Sequence, residues 1–311
     1  MYEMATIRRV FEKQMKLEVC SIHQFESVEN NKVYRIETES QPYIFKIYKG
    51  EWPEDEKLLL VEKLLAEAGI AHAKIFVYSR DKTDFPHGYL IEECLPGATA
   101  DRLVLDKQEM VGLFEKLGAL VSRLHQIKMK GYGYTGSGFA DWETFSEFMY
   151  DSIGDNKANL LAHDLMADEV LEAIGLALRK RLKVCDKYAS VLCHTDLSTK
   201  NMMVNEGDVT LIDWDDVYSL CWVYDLATLT FWMKREYGNE DAEVYRKAFL
   251  DYYETEYDLD EFDQVEPVIH VRIGLNDLNY FAGMPEYEQV KQLVNKSLEK
   301  CGMDLWKCLF K

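Results

Sequence analysis

The segment from His194 to Asn201 constrains this chain more than any other part of its sequence. It reads HTDLSTKN, and a run of strand-forming residues shortly after it ends in Leu-Ile-Asp-Trp, with the aspartate at position 213. Phosphoryl transfer from a nucleotide requires an aspartate beside the acceptor hydroxyl, together with an asparagine and a second aspartate that hold magnesium. Magnesium prefers oxygen ligands and keeps several waters, so Asn201 and Asp213 would suffice as protein ligands. The spacing predicts Asp196 in a catalytic loop, followed by a metal-binding strand.

A His-x-Asp triplet alone has little weight, because such triplets occur by chance and a histidine often only packs or caps a turn. The full pattern is more specific, since Asn201 follows Asp196 by five residues and Asp213 ends an apolar pair on the next strand. As with any motif, its confirmation lies in the structural context.

Length and charge limit the fold and the partners. The 311 residues exceed the usual size of a single hydrophobic core, which predicts two lobes or domains. A net charge of −19 argues against nucleic-acid binding and favours a cationic small molecule, although it is also typical of a solvated surface. We expect no membrane contact, because no apolar run approaches ~18–20 residues. No signal peptide is visible, and the 7 cysteines lack zinc-ligand spacing, which predicts reduced thiols in the cytoplasm.

The hydrophobic pattern predicts a two-lobed α+β chain. Residues 6–16 have helical periodicity, and strand-like segments follow between residues 19 and 48, at 75–78 and at 89–93. A helix is expected from Pro53 to about Ala68, with the acids at 54–56 in its first turn.

After Gly97 the pattern is mainly helical, with two or three helices between residues 142 and 189 and further helices from residue 225 onwards. We therefore expect an N-terminal nucleotide-binding lobe over residues 1–96, with five strands around one helix, and a helical catalytic and substrate-binding lobe over residues 97–311.

Lys46 is the candidate phosphate contact. It lies inside an apolar strand, where an unpaired ammonium would be costly, although alternation also allows it to face solvent. Its carboxylate partner is expected on the helix that follows. Glu62 lies at the edge of the buried stripe of that helix, whereas Glu56 lies nearer the opposite side, so Glu62 is preferred. An ordinary surface glutamate remains the alternative reading of Glu62.

The loop that would cover the phosphates has no glycine-rich signature. Neither GxGxxG nor GxxxxGK[ST] occurs in the sequence, which argues against a P-loop enzyme. The loop between the first strands would be Ser27-Val28-Glu29-Asn30-Asn31, where asparagine can supply the turn geometry of glycine. An ordinary hairpin turn is an equally good interpretation.

With these residues assembled, the chain resembles the aminoglycoside phosphotransferases and, more distantly, choline and homoserine kinases, whose nucleotide lobes are similar to those of protein kinases. The matching segments run in family order over roughly residues 27–227: Asn30–Ile36, Tyr43–Lys46, Ala66–Ile70, Tyr89–Gly97, Leu117-Gly118, Leu124-His125, His194–Asn201, Leu211–Trp214 and Asp225–Ala227. The remainder of the helical lobe carries no recognisable motif.

The resemblance implies a role for each matching residue. Asp196 would lie against the acceptor hydroxyl, Asn201 and Asp213 would bind Mg²⁺, and Lys46 would contact the phosphates of ATP or GTP. The backbone of two residues before the lobe boundary, Glu93 and Leu95, would meet the adenine edge.

Two further residues would support the catalytic loop without touching substrate. Asp225 is expected to brace the loop, and His125 is expected to pack behind it.

Three departures from the family pattern limit what the resemblance implies. Thr195 replaces the glycine that usually follows the histidine. The usual helix glutamate, counted back from Gly69-Ile70, would fall near residues 58–60, which conflicts with the choice of Glu62. Ser198 stands where protein kinases have a lysine, and the lysine is at position 200, which favours a small-molecule acceptor over a protein.

The acceptor is not fixed by the sequence. Asp215 and Asp216 follow the metal strand and are expected to face the mouth of the cleft, where they could attract amines. This favours a polar, cationic acceptor such as an aminoglycoside, and hence a role in antibiotic resistance. Alternatives are a kinase of a small metabolite alcohol, a metal-dependent hydrolase that uses the His194 and aspartate set, and a pseudokinase that only binds nucleotide. The oligomeric state stays open.

Overall fold

The computed structural model describes residues 2–25, 31–53, 56–134, 140–163 and 165–302. The expected phosphate loop lies outside these residues except for its last member, Asn31. Within the described part, no helix combines the length and the apolar character needed to cross a membrane.

An antiparallel sheet of five strands forms the N-terminal lobe. The strands are β1 (Ser21–Gln24), β2 (Lys32–Glu37), β3 (Tyr43–Ile47), β4 (Ile75–Ser79) and β5 (Tyr89–Glu93), arranged in the order β1-β2-β3-β5-β4. Helix α1 (Tyr2–Met15) packs its apolar face on this sheet, and Ile7 and Phe11 are buried with Tyr34 and Phe45 of the strands. The register pairs Lys46 with Val33 on one side and Leu90 on the other.

The second helix of this lobe, α2 (Lys57–Glu67), begins later than its sequence suggests. Pro53 does not open it, because Glu56 adopts a left-handed conformation with φ of 68° directly before the first turn. The acids at 54–56 therefore do not form that turn, and Glu54 and Asp55 lie outside the described residues. Instead the fully buried Lys57 occupies the first position and donates a hydrogen bond to the carbonyl of Asp215, 2.9 Å away in the other lobe.

Helices dominate the C-terminal lobe. They are α3 (Lys107–Leu124), α4 (Phe145–Asp151), α5 (Gly154–Ala162), α6 (Asp168–Leu182), α7 (Val223–Tyr252), α8 (Leu259–Tyr280) and α9 (Tyr287–Lys300). As expected, three of them lie between residues 142 and 189. Asp106 caps α3 through the backbone N–H groups of Gln108 and Glu109, and the Glu109 carboxylate returns a bond to the Asp106 N–H. This capping box satisfies donors that a helix start leaves unpaired.

Two small sheets hold the catalytic segment. The first contains β6 (Ala98–Thr99), β9 (Met202–Asn205) and β10 (Asp208–Leu211), and the second contains β7 (Gly133–Tyr134), β8 (Val191–Cys193) and β11 (Tyr218–Leu220). The chain turns from β8 through the predicted catalytic loop into β9, and from β10 into the predicted metal-binding residues. A small hairpin, β9–β10, thus presents both motifs on one side of the helical lobe.

The main core lies between α3 and α7, which pack closely. A Cβ on Gly118 of α3 would lie 2.2 Å from the carbonyl oxygen of Phe249 in α7, so only glycine permits this approach. Leu117 and Val121 on the same helix are fully buried. An antiparallel sheet lobe followed by a mainly helical lobe confirms the predicted two-lobed α+β class.

Candidate active site

A cleft of about 870 Å³ is lined by residues of both lobes. One end, the hinge end, lies along β5 and the link to β6, and its apolar lining residues are Val33, Ile44, Ala73, Leu95, Met203 and Ile212. The other end, the α8 end, lies along α7 and α8 and carries aromatic rings: Phe148, Tyr218, Tyr224, Trp232, Tyr280 and Phe281. Asp196, Asn201 and Asp213 all line this cleft, so the structure brings the predicted catalytic and metal residues together.

Asp196 and Asn201 are held to each other. The Asn201 side-chain amide donates to the Asp196 carboxylate at 2.7 Å and to the Asp196 backbone carbonyl at 2.9 Å. Because both contacts are made by Nδ2, the amide oxygen of Asn201 is not used in them and can serve as a ligand. The Asn201 carbonyl also accepts the N–H of Ile212 at 3.0 Å, which ties the loop to the segment that carries Asp213.

Asp225, at the start of α7, braces the catalytic loop. It is fully buried, and its two carboxylate oxygens accept the backbone N–H groups of His194 at 2.8 Å and Thr195 at 2.7 Å. His125 donates to the same carboxylate at 3.1 Å and is itself bonded to Tyr253 at 2.7 Å. The expected bracing by Asp225 and packing of His125 are both present.

His125 and Asp225, together with Cys193, also form a cluster whose ligand atoms lie within 4.8 Å of one another. The three residues are buried, and the Asp225 oxygens already accept these hydrogen bonds, which account for the cluster without a metal ion.

The loop uses a backbone conformation that explains the glycine of the family pattern. Thr195 has φ of 63°, a left-handed value that is strained for a β-branched residue. Its hydroxyl donates to the carbonyl of Asp216, which offsets part of that strain. Asp213 is also left-handed, with φ of 62°, so the residue that would hold metal sits on a sharp turn directly after the hairpin.

His194 joins the loop to this turn. It is fully buried, its Nε2 donates to the Ile212 carbonyl at 3.0 Å, and its ring lies 4.7 Å from that of Trp214. The nitrogen Nδ1 accepts the N–H of Asp196 at 3.3 Å. His194 therefore positions Asp196 and has no direct access to the cleft.

Lys46 is buried, but its partner is not the one predicted. Its ammonium donates to Asp213 at 2.8 Å and to Asp215 at 3.2 Å. The Glu62 carboxylate on α2 instead accepts a hydrogen bond from the backbone N–H of Ile75 at 3.0 Å, and this bond connects α2 to β4. The choice of Glu62 as the carboxylate of Lys46 was wrong, because the turn after Asp213 brings an acid closer than the helix does.

The same contacts correct the expectation for the acidic pair. Asp215 does not face the mouth of the cleft, because it is 7% exposed and is also bonded to Asn31 at 3.2 Å. Asp216 does line the cleft and accepts the indole N–H of Trp52 at 2.7 Å. Asp215 thus pairs with Lys46, whereas Asp216 forms part of the cleft wall.

Burial and neighbouring charges separate the carboxyl groups electrostatically. Burial, with added repulsion from Asp213, raises the pKa of Asp196. Burial would also raise the pKa of Asp213, but the ammonium of Lys46 outweighs it and lowers that pKa. Burial raises the pKa of Asp215 to about 6 despite Lys46. An ionised Asp213 beside a more basic Asp196 suits a metal ligand beside a proton acceptor.

Sequence reasoning missed Glu92, which directly precedes Glu93 near the end of β5. It lies on β5 opposite Ile44 and lines the cleft, and burial raises its pKa to about 7 although Lys46 opposes this. The signal was present in the sequence, since an acid stands inside the strand Tyr-Leu-Ile-Glu-Glu. Glu93 and Leu95 line the hinge end as well, and their contact with adenine stays a prediction.

The sequence matches the model of the phosphotransferase enzyme family, APH, over residues 21–265. The chain belongs to this family. No curated protein sequence matches it.

Solved structures of low sequence identity share the fold over nearly the whole chain. A thermostable mutant of the aminoglycoside phosphotransferase APH(4)-Ia, in a complex with AMP-PNP and hygromycin B, is 15% identical with a TM-score of 0.70, and the match covers 96% of this chain and 97% of that one. A protein assigned as a fructosamine-3-kinase from Thermobifida fusca is 14% identical with a TM-score of 0.67, covering 95% and 98%. The ADP-bound APH(2'')-Ib is 19% identical with a TM-score of 0.64, covering 96% and 98%. The resemblance to aminoglycoside phosphotransferases and the kinase-like fold are confirmed.

Proposed function

We propose that this phosphotransferase moves the γ-phosphate of ATP, or of GTP, to a hydroxyl group of a small, amine-bearing molecule. The observation that carries the proposal is the grouping of Asp196, Asn201, Asp213 and Lys46 in one cleft, with direct bonds from Asn201 to Asp196 and from Lys46 to Asp213. These are the groups that phosphoryl transfer requires, because the reaction depends on positioning and charge stabilisation.

The donor set fits magnesium. An amide oxygen from Asn201 and a carboxylate from Asp213 are hard ligands of the kind that this ion prefers. When bound, the metal would offset charge on the phosphates. Lys46 would bind the phosphates from the opposite lobe, and Asp215 would keep its ammonium in place once Asp213 turns to the metal.

Asp196 would act on the acceptor. The hydroxyl oxygen attacks the γ-phosphorus, the bond from that phosphorus to the leaving nucleoside diphosphate breaks, and the hydroxyl proton passes to the Asp196 carboxylate. An ordinary aspartate with a pKa near ~4 is a poor base toward an alcohol, so its main work is orientation. The raised pKa of the buried Asp196 improves proton acceptance as the new bond forms.

Acids along the rest of the cleft support an amine on the acceptor. Asp216 lines the wall next to the catalytic loop, and Glu236 and Asp277 line the α8 end. Aromatic rings on the same walls favour a ligand with apolar or cationic surface. The aminoglycoside and fructosamine enzymes of similar fold make amino sugars reasonable acceptors to test, and antibiotic modification is one form this activity would take. The described cysteines form no disulfide, which supports a cytoplasmic enzyme.

Two measurements test the proposal. Thermal denaturation with ATP or GTP, with and without Mg²⁺, should show stabilisation that depends on the metal. Turnover should then be measured by release of nucleoside diphosphate over a library of aminoglycosides, amino sugars, fructosamines, choline, amino alcohols, hydroxy amino acids and neutral polyols. We expect equal amounts of nucleoside diphosphate and phosphorylated acceptor.

Other outcomes would identify the alternatives. Nucleotide binding without turnover on any library member would indicate a pseudokinase. Metal-dependent hydrolysis of phosphoesters without nucleotide would indicate a hydrolase. Phosphorylation of neutral alcohols alone would support the kinase activity but contradict the proposal that the acceptor bears an amine.

A further inference from the structure

Arg272, in the middle of α8, is a buried cation without a carboxylate partner. It lines the α8 end of the cleft and is 6% exposed. Three of its N–H groups are used: Nε donates to the Ser152 hydroxyl at 2.9 Å, Nη2 to the Ser152 carbonyl at 2.8 Å, and Nη1 to the Asn276 amide oxygen at 2.5 Å. Among the described residues, no Asp or Glu lies within ion-pair distance of it. The positive charge of Arg272 is therefore held in place but not neutralised.

A guanidinium carries five N–H donors, so Nη1 and Nη2 of Arg272 each keep one more. A buried charge is costly unless an opposite charge or hydrogen bonds compensate it. Two N–H groups at the tip of an arginine match the two oxygens of a carboxylate, which they bind in a planar, bidentate arrangement. The free donors of Arg272 thus fit an acidic group in the cleft.

Asp277, five residues later on the same helix, is a buried acid without a described cationic partner. It also lines the cleft, and its Oδ2 atom is buried with no hydrogen-bond partner among the described residues. Burial raises its pKa to about 7, with a contribution from the negative charge of Asp196. The cation that opposes this shift is Arg235, which lies over the rings of Trp232 and Phe281 and forms no described ion pair with Asp277.

The two charges act on one region of the cleft. Arg272, Asp277 and Tyr224 all line the α8 end of the cleft, and the pKa of Tyr224 is lowered by Arg272 and raised by Asp277. Five residues of helix correspond to about 7.5 Å along its axis, a rise on the scale of a small amino acid with a hydrogen bond of about 3 Å at each end. Asp196 lines the same cleft, so the catalytic loop faces the volume that this ligand would occupy.

We propose, on the basis of the phosphotransferase function above, that the acceptor is a zwitterion whose carboxylate binds Arg272, whose ammonium binds Asp277 and whose hydroxyl reaches Asp196. Hydroxy amino acids and amino acids bearing a hydroxylated substituent are the chemical class. An acceptor with amines only would bring positive charge to Arg272, and one with a carboxylate only would leave Asp277 unpaired. Either would leave one of the two charges uncompensated.

The first test uses matched acceptors that differ only in these two groups. The first set shares one hydroxylated chain. Homoserine carries both charges, 3-amino-1-propanol carries the ammonium alone, and 4-hydroxybutyrate carries the carboxylate alone. Serine, ethanolamine and 3-hydroxypropionate form a shorter set, and 2-amino-5-hydroxypentanoate, 4-amino-1-butanol and 5-hydroxypentanoate form a longer one. Values of kcat/KM are measured with Mg²⁺ and nucleotide. We expect the zwitterion to exceed both analogues by about 10-fold or more in the set of suitable length, the scale of one hydrogen bond to an ionised group.

The second test removes each charge on the protein. Arg272→Gln should lower kcat/KM for the zwitterion by about 10- to 100-fold through KM, while turnover of the amine-only analogue changes little. Asp277→Asn should also lower kcat/KM for the zwitterion, while turnover of the acid-only analogue changes little. Arg272→Lys and Asp277→Glu should restore part of each loss. Asp260→Asn, at an exposed acid in the first turn of α8, is the matched control and should change neither ratio.

Several results would overturn the proposal. An amine-only acceptor that matches its zwitterion within a few-fold removes the role of Arg272. An equal loss for all acceptors in Arg272→Gln shows that the arginine only supports Ser152. An efficient acceptor from the wider library that lacks a carboxylate, with no turnover in the matched sets, overturns the zwitterion but retains the kinase. No turnover with any hydroxyl compound overturns both this proposal and the proposed function.

Discussion

The two halves of helix α8 differ in whether their buried charged side chains have ion-pair partners. In the first half, the Glu266 carboxylate accepts hydrogen bonds from the Lys234 ammonium at 3.2 Å and from the Arg246 guanidinium at 3.3 Å, and both of these residues belong to α7. In the second half, Arg272 and Asp277 have no described ion-pair partner although both line the cleft. The folded chain neutralises the first set by itself. The second set remains uncompensated until a ligand arrives, which is what distinguishes a binding surface from a structural network.

The catalytic end combines both situations. Asp213 is neutralised by Lys46 in this structure, yet it is also a predicted ligand of the metal. Asp196 is bonded to Asn201, but burial and nearby acids raise its pKa. Removing charges from these three regions should therefore separate effects on activity from effects on stability.

The largest effect should come from Asp213→Ala. It removes the carboxylate that is assigned with Asn201 to hold metal, and a catalytic metal contributes several kcal/mol, or about 10⁴-fold in turnover at 1.36 kcal/mol per decade. We expect metal-dependent nucleotide binding to disappear and weak metal-independent binding at the hinge end to persist. Calorimetric titration with and without Mg²⁺, alongside steady-state kinetics, measures both. Turnover at the wild-type level would refute the assignment of Asp213.

Asp196→Asn should lower kcat by about 10²–10⁴-fold, the usual contribution of a positioned acid–base group. The amide keeps the size and some hydrogen bonding but cannot accept the proton. Nucleotide affinity should change little, because Asn201 and Asp213 remain in place. The measurement is kcat and nucleotide Kd on one preparation. A kcat within a few-fold of wild type would mean that another group positions the hydroxyl.

Glu266→Gln tests the compensated half of α8, where stability and not activity should suffer. The change leaves the Lys234 ammonium, whose side chain is 11% exposed, without its carboxylate, whereas Arg246 retains Asp263. Breaking a buried pair by removing one partner costs about 3–5 kcal/mol, and we expect about 3 kcal/mol here because Gln keeps a hydrogen-bond acceptor. Urea unfolding followed by circular dichroism measures the free energy.

Arg272→Gln is the matched comparison for Glu266→Gln. Its lost hydrogen bonds are offset by removal of an unneutralised buried charge, so the free energy of unfolding should change by about 1 kcal/mol or less. Equal destabilisation by the two variants would remove the distinction between the two halves of the helix.

Sequence reasoning identified residues that the fold brings together where they lie in one continuous segment. The spacing from His194 to Asp213 is fixed by a loop and a hairpin, so the reaction leaves a local signature. The partner of Lys46 was missed because Asp215 lies 169 residues away along the chain, where no periodicity connects the two. The positive φ of Thr195 was not predicted either, because a β-branched residue argues against it, although the glycine usual at this position in the family pattern was a signal.

The α8 end was missed for a different reason. Arg272 and Asp277 match no motif, and acceptor-binding residues follow the ligand rather than the fold. A signal existed all the same, since Arg272 stands within the apolar run Val-Ile-His-Val-Arg-Ile-Gly-Leu. A helix that is apolar on all sides is buried, and a charge inside it calls for a partner. Only the fold shows that this partner is absent from the described chain.

The last expected effect is the acid sensitivity of the compensated half of α8. His270 lies beside Glu266 and Lys234, and its Nε2 is within hydrogen-bond distance of Thr230 at 2.9 Å and the Ala227 carbonyl at 3.0 Å. Burial lowers its pKa from 6.5 to about 3. Between these two values the unfolded chain binds a proton that the folded chain does not, so stability falls as pH decreases through 6.5 and is unaffected by His270 above it. From pH 7 to pH 5 the loss should be about 2 kcal/mol, at 1.36 kcal/mol for each pH unit. The measurement is the urea midpoint at both pH values, in wild type and in His270→Gln, which keeps a donor for the Ala227 carbonyl but cannot titrate. The Glu266 carboxylate has a pKa lowered to about 2, so its own contribution is lost only below about pH 4.5 and stays the same in both proteins over this interval. A smaller drop in His270→Gln is expected, and an equal drop would show that His270 is not the group that makes this half of the helix sensitive to acid.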